Sequence, residues 1–104
     1  MNNESPLLYP KDPAEIITVT FGFEKLADTI TAAVVTASVL SGLPDNNPSA
    51  IVSGPPSMTA ALVRQRIAAG QPGTVYALRC EANDADGELH VLTAALPVCT
   101  STPI

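Results

Sequence analysis

The sequence contains no tryptophan, and Phe and Tyr supply only two residues each. Aromatic rings bury the largest area per residue. The core must therefore be built from Val, Ile and Leu, with Tyr9, Phe21, Phe23 and Tyr76 as its few rings. The same scarcity weighs against an adhesion or carbohydrate-binding module, which needs exposed aromatics. Basic charge is also short: five Lys/Arg stand against ten Asp/Glu, for a net charge of −5. Lys11, Lys25, Arg64, Arg66 and Arg79 are scattered, and no cluster is dense enough to neutralise a run of phosphates, so nucleic acid is not an expected partner. The longest apolar region, Ile30 to Leu43, is threaded with Thr31, Thr36, Ser38, Ser41 and Gly42. It falls short of the roughly 20 apolar residues that a membrane helix needs. Met1-Asn-Asn-Glu4 lacks a positive n-region, and Pro6, Pro10 and Pro13 interrupt the next ten residues, so no secretory signal is expected. The chain is expected to stay in the cytoplasm that makes it until it joins an assembly.

Catalytic groups are equally sparse. His90 is the single histidine. No nucleophile or orienting carboxylate is spaced to converge on it, and it reads as a surface or edge-strand residue. Gly70-x-x-Gly73 lacks the third glycine and the Lys-Ser/Thr of a phosphate loop and reads as a turn. Asn83, Asp84, Asp86 and Glu88 place oxygen ligands at alternate positions, as Ca²⁺ sites do. The full looped motif is missing and turn formation is a sufficient role, so a cation there stays open. The two cysteines, Cys80 and Cys99, are not expected to pair. If the chain turns near Ala85-Asp86, Cys80 lies across from Val91 or Leu92, and Cys99 is then roughly 23 Å further along the strand. A disulfide needs Cα atoms within about 7 Å. No catalytic, cofactor-binding or metal-binding residue is assigned.

What the chain does have is alternation. In the segment Gly70 to Gly87, Thr74, Tyr76, Leu78, Cys80 and Ala82 share one face of an extended chain. Val75, Ala77, Arg79 and Glu81 share the other. Period-two alternation predicts a half-buried strand, Asp86-Gly87 supplies a hairpin turn, and a second extended run comes next, over 89–97. Upstream, Glu15 to Phe23 reads as a strand with Ile17, Val19, Phe21 and Phe23 on one face. Thr29 to Leu40 reads as another, with Ile30, Ala32, Val34, Thr36 and Ser38 on one side and room for a bulge. Gly42 to Ser49 is a loop, and Ala50 to Ser53 a short strand closed by Gly54-Pro55-Pro56. Met58 to Ala69 is ambiguous. Ser57 and Gly70 suit the two ends of a helix. As a strand, the segment sets Ala61, Val63, Gln65 and Ile67 against Leu62, Arg64 and Arg66. Short strands at this spacing favour the strand and an all-β sandwich of immunoglobulin-like type. The predicted organisation is an extended arm over 1–13, one sandwich domain over 14–98 and a short tail over 99–104. Three prolines deny the arm a ladder of its own, so Leu7, Leu8 and Tyr9 either strap the domain's own edge or dock on a neighbour. Arg64 and Arg66, with Arg79 near them, are the other candidate partner contacts.

Lys11-Asp12-Pro13-Ala14-Glu15, the strand Ile17-Thr-Val-Thr-Phe21, Ala27-Asp28-Thr29-Ile30 and Gly70-x-x-Gly73-Thr74-x-Tyr76-x-Leu78-Arg79-Cys80 carry a family resemblance. With Asp86-Gly87 they span most of residues 11–98. The chain resembles the small immunoglobulin-like structural proteins of tailed bacteriophages and prophages, those of the fibre-tail adaptor or tail-associated type. It departs from them in having Phe21-Gly-Phe-Glu-Lys-Leu26 where they carry tryptophans, and in a longer, proline-rich 42–57 stretch. The resemblance implies a non-enzymatic virion protein whose partners are other virion proteins and copies of itself around a ring, with no membrane and no cofactor. A capsid decoration protein would use the same fold on another part of the particle.

Overall fold

The computed structural model describes residues 6–100. Residues 1–5 of the predicted arm and 101–104 of the predicted tail lie outside the described residues. Six strands run in the order β1 (Ile17–Gly22), β2 (Ile30–Gly42), β3 (Val52–Thr59), β4 (Leu62–Ile67), β5 (Thr74–Asp84) and β6 (Leu89–Val98). They form two antiparallel three-stranded sheets, ordered β1-β4-β3 and β2-β5-β6. Both sheets contribute to one apolar cluster that includes Phe21, Phe23, Val63, Ile67, Tyr76, Leu78 and Leu96. This arrangement is consistent with a β-sandwich. Full burial of each such aliphatic or Phe side chain contributes about 1.5–3 kcal/mol.

The alternation in β5 is the clearest link from sequence to packing. Thr74, Tyr76, Leu78, Cys80 and Ala82 are all buried at 0% exposure, and Val75, Ala77, Arg79 and Glu81 face outward. The hairpin turn closes through the Asp84 N–H to the Glu88 carbonyl at 2.9 Å. Gly87 supplies the left-handed φ of 85° that the turn requires. Cys80 stands opposite Leu92, as the turn position predicts, and both cysteines are free.

Three strand readings need correction. In β2 the pairing register shifts between Ile30 and Ala32. That bulge inserts one residue and reverses the phase of everything after it. Ile30 and Val35 therefore both point inward, whereas Ala32, Val34, Thr36 and Ser38 face out. The segment 48–51 is a 3₁₀ turn, and β3 runs straight through Gly54-Pro55-Pro56 instead of ending there. An edge strand tolerates this because its outer N–H groups need no ladder partner. Met58 to Ala69 is neither one strand nor a helix. Met58 and Thr59 end β3, Ala60 turns with φ 52°, and β4 begins at Leu62. The expected inner face of Ala61, Val63, Gln65 and Ile67 is buried.

Gln65 explains how β3 absorbs its irregularity. Pairing jumps from Ser53↔Arg66 to Ser57↔Arg64. The buried Gln65 Nε2 donates to the Ser53 carbonyl at 3.2 Å, the Gly54 carbonyl at 3.0 Å and the Arg66 carbonyl at 3.0 Å. Gln65→Ala would orphan these acceptors, at a cost of roughly 1–3 kcal/mol. The expected result is a lower urea midpoint with an unchanged slope.

Candidate partner-binding surfaces

The arm makes a ladder after all, with β6 as its partner. Bridges at Leu7↔Ala95 and Lys11↔Val98 run parallel to that strand. The Leu8 N–H donates to the Ala95 carbonyl at 2.8 Å, and the Ala95 N–H to the Pro6 carbonyl at 2.7 Å. Further along, the Lys11 N–H donates to the Pro97 carbonyl, and the Cys99 N–H to the Lys11 carbonyl, each at 2.9 Å. The prolines sit at positions that leave these donors intact. Extended alternation then sorts the side chains. Leu8 packs against the core, whereas Leu7 is 75% and Tyr9 91% exposed. Tyr9 is thus no core residue, because its place on the arm turns it to solvent. The other three rings are buried, so the described residues assemble no aromatic stacking platform.

Lys11 fixes the arm at its inner end. It is 1% exposed, and its Nζ donates to the carbonyls of Ala69 at 2.6 Å and Asp12 at 2.9 Å. Burial pulls its ammonium below the usual lysine range, an effect opposed by the carboxylates of Glu15 and Asp12.

Arg64 and Arg66 project from the outer face of β4, the central strand of its sheet. With Thr18, Ser53, Gly54, Pro55 and Ser57 they line an open groove. Arg79 is not beside them. It lies on the outer face of the other sheet, its Nε 2.9 Å from Glu81 Oε2. An exposed pair of this kind contributes little to stability.

At the hairpin end, Asp84 Oδ1 accepts the N–H groups of Asp86 and Glu88, each at 2.9 Å, and Oδ2 lies 2.9 Å from His90 Nε2. The His90 contact and the two N–H groups hold this carboxyl below the usual range. Donor atoms of Asp84, Glu88 and His90 lie within 4.8 Å of one another. The carboxylate already has a full complement of internal partners, which accounts for its place as the organiser of the turn. Sequence reading missed the His90–Asp84 contact, though their positions flanking the turn, six residues apart, carry the signal. Burial pushes the Cys80 thiol up to about 11, so it is a core residue and not a nucleophile.

At the opposite end Tyr76, fully buried, donates its hydroxyl to Asp45 Oδ2 at 2.6 Å and accepts the Gln71 N–H at 2.7 Å. Burial first, and then the Asp45 hydrogen bond, hold the phenol above its ordinary value, so it remains a donor.

These features define a small all-β protein whose distinguishing groups are displayed on an arm, a charged sheet face and a loop end. The sequence matches the family model of the podophage GP4 fiber-tail adaptor protein gp77 over residues 11–97. The chain belongs to that family and is a phage tail adaptor, a structural protein of the virion. Comparison with curated proteins and with solved structures gave no match. The matched span takes in Lys11, Arg64 and Arg66.

Proposed function

We propose that this adaptor is a non-enzymatic, immunoglobulin-like docking module. Several copies stand around a symmetric ring of the tail and hold neighbouring virion proteins through the arm and the sheet edges. The observation that carries the reading is the arm itself. Hydrogen bonds to β6 order it, and yet Leu7 and Tyr9 stand exposed on it. A pre-ordered segment loses less entropy on docking, and burying an apolar side chain on a partner contributes about 1.5–3 kcal/mol. The immunoglobulin-like type is supported by the β5–β6 hairpin, by the two-sheet strand order and by the Tyr76 hydroxyl. That hydroxyl meets a backbone N–H just upstream of the strand that carries it, as in a tyrosine corner.

The test is the double variant Leu7→Ser/Tyr9→Ser. Because both side chains are exposed, its melting temperature should match that of the parent protein. Its incorporation into phage particles, read by quantitative mass spectrometry, should fall at least tenfold. Normal incorporation would remove the arm from the interface.

A further inference from the structure

We infer that the Arg64/Arg66 groove of one copy receives the acidic loop end of a second copy. This inference rests on the proposed ring of copies and names the contact that would build it. The groove lies on the outer face of the β1-β4-β3 sheet, where register sets Arg64 between Thr20 and Ser57, and Arg66 between Thr18 and Ser53. Two guanidinium groups, about 7 Å apart along the strand, are thus flanked by hydroxyls, and no carboxylate lines the groove. Among the described residues neither arginine has an acidic partner, unlike Arg79. Arginine among hydroxyl donors is suited to carboxylates, because its planar fork offers two parallel N–H donors.

The complementary surface is on the same chain. The β1–β2 loop and the β5–β6 turn meet at one end, where Asp28, Asp84, Asp86 and Glu88 line a shared cleft. Asp84 is committed internally, and Asp28, Asp86 and Glu88 are exposed. A chain of net charge −5 repels its copies in general. Matching its unpaired arginines to its acidic end offsets that repulsion at one place and in one orientation. The two surfaces are different, so the contact is heterologous, the type that closes into a ring or runs on as a filament.

The experiment uses the full chain, with assembly read by native mass spectrometry and analytical ultracentrifugation. The parent protein should associate at low salt, and its dissociation constant should rise about tenfold or more near 0.5 M salt. Arg64→Glu/Arg66→Glu and Asp86→Lys/Glu88→Lys should each be monomeric, with unchanged circular dichroism because all four side chains lie outside the core. Mixing the two variants should restore association, since each now carries the complement of the other's altered surface. If the parent associates and both variants associate equally well, the ring stands and this contact is overturned. Loss in both variants without recovery on mixing overturns the pairing of these two surfaces. A parent chain that stays monomeric at low salt overturns both the contact and the ring.

Discussion

A chain carrying Tyr76→Ala is expected to melt roughly 15–30 °C below the parent protein, and to be largely unfolded at 37 °C if the parent is of ordinary stability. Tyr76 is the largest fully buried side chain. Truncating an aromatic ring at such a site costs about 3–5 kcal/mol, against a total of about 5–15 kcal/mol for a domain. Each kcal/mol shifts the melting temperature of a domain this size by about 4–8 °C. Tyr76→Phe separates ring from hydroxyl. It keeps the packing but deprives Asp45 and the Gln71 N–H of their common partner, at a cost of about 1–2 kcal/mol. Its pH dependence identifies the contact. The Tyr76 hydroxyl, and then the Asn47 N–H, hold the Asp45 carboxyl below its ordinary value of 3.8. A depressed folded-state value stabilises the protein above the ordinary carboxylate range, and that contribution is lost as pH falls through the folded value. The gap between parent and Tyr76→Phe should therefore be widest near neutral pH and narrow below about pH 4. A gap constant with pH would show that the hydroxyl acts through Gln71 alone.

Those strands of the fold that keep strict alternation were legible from residues alone. β5 and the inner face of β1 are the plain cases, since no insertion disturbs their period. Legibility failed where the chain departs from that period. The bulge near Ile30 reverses the inward face of β2, and no residue type there announces it. Pro55-Pro56 signals a break in isolation, but its place on a sheet edge removes the reason for one. Ala60 takes a left-handed turn that glycine or asparagine would have advertised. The surfaces divide similarly. Arg64 and Arg66 could be placed together by spacing, because they lie on one strand. Arg79 could not be separated from them without knowing that β4 and β5 belong to different sheets. The arm's exposed Leu7 and Tyr9 were legible as apolar residues without local cover. Their display depends on a parallel pairing with β6, a contact between residues nearly ninety positions apart in the sequence, which local patterns do not encode.

Lys11→Ala should loosen the arm as a unit. The Nζ is the donor that the Ala69 carbonyl meets at 2.6 Å, and Ala69 itself holds a left-handed φ of 56°. Truncation leaves a buried acceptor unpaired and a void where the aliphatic stem lay, for a combined cost of about 2–4 kcal/mol. Lys11→Met keeps most of the stem and should cost less, about 1–3 kcal/mol, which isolates the hydrogen bonds. Hydrogen exchange locates the damage. The amides of Ala95 and Cys99 donate to Pro6 and Lys11 carbonyls, so they should lose protection in Lys11→Ala while the amides of Tyr76 and Leu78 keep theirs, as expected for local opening. The proposed docking gives this loosening a functional consequence. Leu7 and Tyr9 would still be present but no longer held in one conformation, so incorporation into particles should fall although neither side chain has changed. Unaltered protection at Ala95 and Cys99 would mean that backbone pairing alone holds the arm. The buried lysine would then matter only to the turn at Ala69.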